Sequence, residues 1–215
     1  MQRFFDILFS AMTIIILSPL LIPIAIFLRL SGEGEIFYLQ ERVGRGGDSF
    51  KLYKFATMLK NSPNMNTGTI TVKNDPRILP AGKFLRKTKI NELPQLLNIF
   101  IGDMSIIGPR PLTNQTFSFY TPEVREEIKQ VRPGLSGIGS IVFRDEENLL
   151  NKHVDPLEYY KSAIAPYKGS LEVWYVRNRS LSVYFKAIFT TIWVVLFPKS
   201  SMVSRVFKNL PTCPI

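Results

Sequence analysis

Between Ile7 and Leu28 the chain carries no charged side chain. A run of that length can cross a bilayer, which takes about 20 apolar residues. Its middle does not suit a straight span, because Ser18-Pro19 and Pro23 fall there. Proline removes a backbone donor and clashes with the preceding turn, so helices kink or break at it. A serine just before a proline can donate its hydroxyl to a freed carbonyl. The pattern predicts a re-entrant membrane hairpin over residues 1–30. In it, two short helices joined at Ser18 and Pro19 enter the bilayer and return to the same face. A kinked span is the alternative. A secretory signal fits poorly: no positive cluster precedes the run, and no small-x-small cleavage site follows Leu28.

The formal charge is +10 over 215 residues. That balance favours anionic partners, whether phosphates, nucleic acid or an anionic membrane surface. No common nucleic-acid recognition motif is present, so the expectation is no nucleic-acid partner. Lysine and arginine beside a membrane segment favour the cytoplasm. Residues 31–215 are therefore expected to form a membrane-associated domain on the cytoplasmic face of the membrane, with membrane lipids as partners. Cys213 is the single cysteine and His153 the single histidine. A disulfide framework, a thiolate metal site and a histidine-centred triad are thereby excluded. Chemistry is left to carboxylates, basic side chains and a hard cation.

The expected fold class is α+β, mainly helical, with interfacial amphipathic helices and one small β-hairpin. The hairpin pairs 35–43 with 50–55 across the turn-rich Gly44-Arg45-Gly46-Gly47-Asp48. A polar loop follows from Asn61 to Gly68. Short helices are expected at 81–87 and 93–101, with Pro94 tolerated in a first turn. Another opens at Thr121-Pro122-Glu123 and runs through 124–131. Ser136 to Ser140 reads as a flexible turn. Asp155-Pro156 opens a helical stretch through Tyr167 that continues over 171–176. Leu181 to Phe197 is apolar and aromatic at near-helical spacing, with Lys186 and Lys199 at its sides. It fits an interfacial helix or a buried core helix equally well.

The order of motifs resembles the bacterial sugar transferase family, the small monotopic polyprenyl-phosphate phosphoglycosyl transferases. The matching pieces include Gly82-Lys83-Phe84-Leu85-Arg86-Lys87-Thr88, Glu92-Leu93-Pro94-Gln95-Leu96, Gly102-Asp103-Met104-Ser105 and Gly108-Pro109-Arg110-Pro111. Lys54-Phe55 with Thr57-Met58, Asp75-Pro76-Arg77 and Arg132-Pro133-Gly134-Leu135-Ser136-Gly137 extend the match over nearly the whole chain. The resemblance implies transfer of a phospho-sugar from a UDP-sugar to undecaprenyl phosphate, releasing UMP. It implies a Mg2+ requirement and a first membrane step in polysaccharide or glycoconjugate synthesis. It further implies an Asp-Glu pair in which the aspartate is the nucleophile and the glutamate holds the metal. A second copy of the chain and pathway glycosyltransferases are further partners to consider.

This chain departs from that pattern, because the pair reads Asn91-Glu92. An amide is a very poor nucleophile beside a carboxylate. Three readings follow: direct attack by the polyprenyl phosphate, a neighbouring carboxylate (Glu92 or Asp103) as nucleophile, or a catalytically silent member acting as a binding or scaffold partner. Asn91 also suits a plain helix cap. The expected site is Asn91 and Glu92, with Glu92 at the metal and Arg86, Arg110 and Arg144 on the substrate phosphates. Arginine's planar fork binds phosphate oxygens in pairs, and prolines on both sides stiffen Arg110. For Lys54 and Arg77 a solvated charge is the safer expectation. For Glu172 a structural salt bridge competes with a functional role.

Overall fold

A computed structural model describes residues 1–62, 65, 75–150, 154–198 and 200–212. His153, Lys199, Cys213 and most of the polar loop expected at 61–68 lie outside the described residues. The chain begins with one helix, α1 (Gln2–Leu30). An antiparallel hairpin follows, β1 (Phe37–Val43) and β2 (Ser49–Phe55), in the register Phe37 opposite Phe55 and Val43 opposite Ser49. Next come α2 (Pro80–Lys87), a 3-10 turn at Ile90–Glu92, and α3 (Gln95–Ile101). Beyond them lie β3 (Ser105–Ile107), α4 (Asn114–Ser118), α5 (Pro122–Ile128), β4 (Gly134–Ser136), α6 (Ile138–Val142) and α7 (Glu146–Leu150). A helix α8 (Pro156–Tyr159) runs through a π-helical turn into α9 (Ala165–Asn178), before α10 (Leu181–Leu196) and α11 (Met202–Val206).

The two short helices expected at the N-terminus are one continuous helix, with Pro19 and Pro23 inside it. The serine accounts for this locally. Pro19 deprives the Ile15 carbonyl of its partner one turn on, and the Ser18 hydroxyl donates to that carbonyl at 2.8 Å. The domain then holds α1 along its length. Near its start, buried Asp6 accepts hydrogen bonds from Ser105 Oγ (3.0 Å), the Ile106 amide (3.0 Å) and the Tyr184 hydroxyl (2.9 Å). In the middle, Ile14 and Leu17 pack on Leu52, Leu96, Ile99 and Met104. At its end, Leu28 is buried with Phe55 and Leu85. The other face is bare: Ile15, Ile16, Ile22 and Phe27 are exposed.

The hairpin is clamped to α3 by one side chain. Asn98 is fully buried; its Oδ1 accepts the Tyr53 amide at 2.9 Å and its Nδ2 donates to the Lys51 carbonyl at 2.8 Å. The amide thereby supplies the pairing that an edge strand lacks. The helix starts expected at Thr121 and Asp155 are capped, and Ser180 adds a third cap. Thr121 Oγ1 accepts the Val124 amide, Asp155 accepts the Leu157 and Glu158 amides, and Ser180 accepts the Val183 amide.

The expectation of a flexible turn at Ser136 to Ser140 does not hold. Ser136 ends β4, and α6 starts at Ile138, with Ile138, Gly139 and Ile141 buried. The glycines serve close approach. β3 and β4 pair in parallel, Ser105 opposite Gly134 and Ile107 opposite Ser136. A Cβ on Gly134 would come 2.1 Å from the Gly108 nitrogen, and one on Gly137 would come 2.1 Å from the Gly108 oxygen. Only glycine fits such a crossing.

The main core gathers α5, α6, α9 and α10 around Ile138, Ile164, Leu171 and Tyr184. α10 buries one side only, as a core helix would on that side. Tyr184, Ala187, Thr190 and Val194 face the core, while Phe185, Phe189, Ile192 and Leu196 are exposed. Phe185 packs edge-on against Phe5 of α1 at 5.0 Å and against Phe9 at 6.4 Å. The starts of α1 and α10 therefore pack together through aromatic rings.

Candidate active site

The turn between α2 and α3 sets the position of Asn91. Gly82 brings α2 against the strand end, since a Cβ there would sit 2.2 Å from the Thr57 carbonyl oxygen. Lys89 then adopts a left-handed backbone (φ 60, ψ 10), the one non-glycine residue with positive φ among the described residues. Such a conformation costs roughly 1 kcal/mol for an ordinary residue and clusters at functional sites. The following 3-10 turn buries Asn91 and leaves Glu92 half-buried. Asn91 does not cap α3: the capping position is Pro94, with no side-chain bond. Instead its Oδ1 is buried with no hydrogen-bond partner. An unpaired buried amide oxygen costs about 1–3 kcal/mol and calls for an explanation.

Around this turn the fold gathers positive charge from four separate elements. Arg42 comes from β1, Lys54 from β2, Arg86 from α2 and Arg110 from the loop after β3. They sense one another and Glu92 electrostatically. Burial alone would raise the Glu92 carboxyl, but Lys54, Arg110, Lys89 and Arg86 together hold it below its ordinary value. Burial lowers Lys54 to about 8; Glu92 supports its charge, while Arg42, Arg110 and Arg86 oppose it. Arg42 falls to about 10, through burial first and Arg110 second. One ionised carboxylate thus stands among several cations, two of them kept charged at some cost. That is the electrostatics of a pocket short of negative charge, which phosphate groups would supply.

A cavity of about 400 Å3 opens beside the cluster. Arg42, Lys54, Arg86 and Asn91 line its polar side, and Leu28 and Phe37 belong to its apolar side. It therefore lies between the phosphate-seeking cluster and the far end of α1.

Of the residues singled out by sequence, Asn91, Glu92, Arg86 and Arg110 come together. Arg144 does not join them: it is exposed and lines a separate groove with Val194 and Phe207. Asp103 lies beyond the far end of α3, where it accepts a bond from Asn98 Nδ2 at 3.1 Å. Lys54 belongs to the cluster, against the solvated charge expected of it. Arg77 is not solvated, and although it lines the same cavity its charge is engaged elsewhere. It is buried in a pair with Asp75, with Arg77 Nη2 2.6 Å from Asp75 Oδ2, and it donates to the Ser62 and Met65 carbonyls. Glu172 is fully buried, and its Oε1 accepts the Arg110 amide at 3.3 Å. It thus holds the backbone of the arginine loop rather than forming the simple salt bridge that was considered. Lys168 beside it pairs with Glu146 instead.

Arg42 was missed by sequence reasoning. The strand alternation contained the signal, because Arg42 shares a face with Tyr38, which pairs with Lys54.

No group of three or more acidic, histidine or cysteine side chains suited to a metal occurs among the described residues. Glu92 and the unpaired Asn91 Oδ1 are the oxygen donors at the turn. That set fits Mg2+ as it usually binds with phosphates, through one or two protein oxygens and the substrate's own.

The site is a basic pocket set against a long, half-bare apolar helix. The chain belongs to the bacterial sugar transferase family, whose model matches residues 1–198. It is 32% identical over 214 residues to the exopolysaccharide production protein ExoY of Sinorhizobium fredii, covering 93% of this chain and 87% of that protein. It is 34% identical over 210 residues to the undecaprenyl-phosphate galactose phosphotransferase of Salmonella typhimurium, covering 91% of this chain and 40% of that one. It is 31% identical over 196 residues to the UDP-glucose:undecaprenyl-phosphate glucose-1-phosphate transferase of Escherichia coli, covering 90% of this chain and 39% of that one. The chain thus spans about two fifths of the two named transferases. α1, with hydropathy 2.5, is long and apolar enough to cross a membrane. Together with these relatives it points to membrane association.

Proposed function

We propose that this chain moves a phospho-sugar from a UDP-sugar to undecaprenyl phosphate, releasing UMP, as the first membrane step of polysaccharide or glycoconjugate synthesis. The observation that carries the reading is the ring of Arg42, Lys54, Arg86 and Arg110 around the ionised Glu92. Both substrates are phosphate anions, and phosphoryl transfer depends mostly on positioning and charge stabilisation.

With an amide at 91 and Asp103 tied to Asn98, the reading is a single displacement. A phosphate oxygen of the polyprenyl acceptor attacks the phosphorus that bears the sugar. The bond from that phosphorus to the bridging oxygen breaks, and UMP leaves with the electron pair. No proton need move. Arg86 and Arg110 hold the diphosphate, Lys54 and Arg42 neutralise the incoming phosphate, and Asn91 keeps its buried Oδ1 without a protein partner. Glu92, with that oxygen, would hold Mg2+, which supplies further neutralisation of the phosphate charge when bound.

In this reading the bare faces of α1 and α10 lie in the cytoplasmic leaflet of the inner membrane. Contacts of the domain with both ends of α1 support a reading in which the helix stays on one side of the bilayer. Asn91 supports one other reading, a silent family member that binds these ligands without turnover. The purified chain and its Asn91→Asp variant, each given undecaprenyl phosphate, Mg2+ and a panel of UDP-sugars, separate the two by UMP release. Release by the unaltered chain is the expected result. Release only after Asn91→Asp would establish the silent reading, and silence from both would sink the transferase.

A further inference from the structure

A second polar cavity lies away from Asn91 and shares no lining residue with the first. Its volume is about 110 Å3, the room taken by three or four waters at about 30 Å3 each, which is the scale of one phosphate group. Four guanidinium groups line it: Arg3, Arg45, Arg132 and Arg179. Asp6 is the one carboxylate in the lining, and it already accepts from Ser105, Ile106 and Tyr184.

Two of the arginines are anchored. Arg3 donates to the Phe100 carbonyl at 2.7 Å, and Arg132 Nε donates to the Gly102 carbonyl at 2.7 Å. Arg45 and Arg179 are exposed and have no ion pair among the described residues. Charges gathered like this repel one another unless an anion sits between them.

The cavity lies where both apolar helices begin. Arg3 is in the first turn of α1, and Arg179 immediately precedes Ser180, which caps α10. Phe4 is exposed beside it, and Phe5 packs on Phe185.

We infer that this cavity is a phosphate-binding site separate from the transfer site, and that an anionic lipid headgroup is the source its surroundings favour. Fixed arginines supply planar donors for phosphate oxygens, and the bare faces of α1 and α10 receive the acyl chains. Bound there, an anionic lipid ties the starts of both helices to the β3–β4 end of the domain. The inference concerns binding alone and holds whether or not the chain turns over a UDP-sugar.

The test uses the full chain purified in neutral detergent, with short-chain phosphatidylglycerol, short-chain phosphatidylcholine and inorganic phosphate as probes. Affinity is read from the thermal unfolding midpoint and from adducts in native mass spectra. The variant is Arg45→Gln with Arg179→Gln, which spares the two arginines that hold backbone carbonyls. Lys186→Gln with Lys208→Gln, at another basic surface, is the control. The expected result is selective binding of phosphatidylglycerol, weakened at least about tenfold in the arginine variant and unchanged in the lysine variant. Inorganic phosphate acting as strongly as the lipid, and equally lost in the arginine variant, would keep the site and make free phosphate its source. Undiminished binding in the arginine variant, or no response of the unaltered chain to either phosphate source, would overturn the inference.

Discussion

Glu92 and Glu172 are both withdrawn from water, and their carboxyl groups move in opposite directions. Lys54, Arg110, Lys89 and Arg86 hold Glu92 below its ordinary value despite its burial. Burial pushes Glu172 up to about 7, against the opposing pull of Lys168 and Arg110. The difference lies in what each faces. Glu92 stands at a turn lined by cations and beside a cavity. Glu172 is packed against Gly139 and the Arg110 amide, where a Cβ on Gly139 would come 2.4 Å from its oxygen. One carboxylate is kept charged for partners yet to arrive; the other shapes the loop that carries Arg110. An acidic side chain in this chain is therefore assigned a role by its surroundings, not by its burial.

The largest expected effect breaks the first half of that comparison. Glu92→Gln keeps the size of the side chain and removes the carboxylate that Lys54, Arg110, Lys89 and Arg86 all act on. UMP release should fall on the order of 100-fold or more, with the far-UV spectrum and unfolding midpoint little changed. An equally active Glu92→Gln would deny Glu92 its role.

Lys54 sharpens the comparison by pH. Its ammonium is lowered to about 8, so it is charged below that value and neutral above it. Affinity for undecaprenyl phosphate, the incoming phosphate that Lys54 neutralises, should decline as pH rises through about 8. Lys54→Arg should flatten the decline, since arginine keeps its charge throughout. A titration from pH 6.5 to 9.5 by calorimetry checks both; identical curves for the two proteins would count against the cluster.

The smallest effect concerns Glu172 and appears in stability. A raised folded value means that the folded chain holds a proton which the unfolded chain has already lost. Stability therefore falls as pH rises from the ordinary carboxyl range, near 4.5, to about 7. Glu172→Gln should remove that part of the pH dependence. Unfolding midpoints at pH 5 and pH 8 should converge in the variant, and a difference as large as in the unaltered chain would contradict the assignment.

Much of the helical framework was legible in local chemistry. The uncharged run at 7–28, the hairpin around Gly44 to Asp48 and the caps at Thr121 and Asp155 need only neighbouring residues to be read. The parallel pairing of 105–107 with 134–136 was not, because each strand is three residues long and its partner is distant in sequence. The glycines at 134 and 137 resemble a loose turn until the chain that crosses them is known. The same limit governed the site. Arg86, Asn91, Glu92 and Arg110 lie in recognisable motifs, as does Lys54, whose role in the cluster shows only through cross-strand position, and Arg42 lies in none. Pro19 misled in the opposite sense: the Ser18 hydroxyl satisfies the carbonyl whose loss would have broken the helix.

The central claim is that Asn91 leaves a site that transfers without a covalent step. The direct test is the intact mass of the protein after incubation with UDP-sugar and Mg2+ but no lipid acceptor. The account predicts no adduct on the unaltered chain, UMP release only once undecaprenyl phosphate is added, and a sugar-phosphate adduct on Asn91→Asp. A sugar-phosphate adduct on the unaltered chain would contradict it and would identify another carboxylate as the nucleophile.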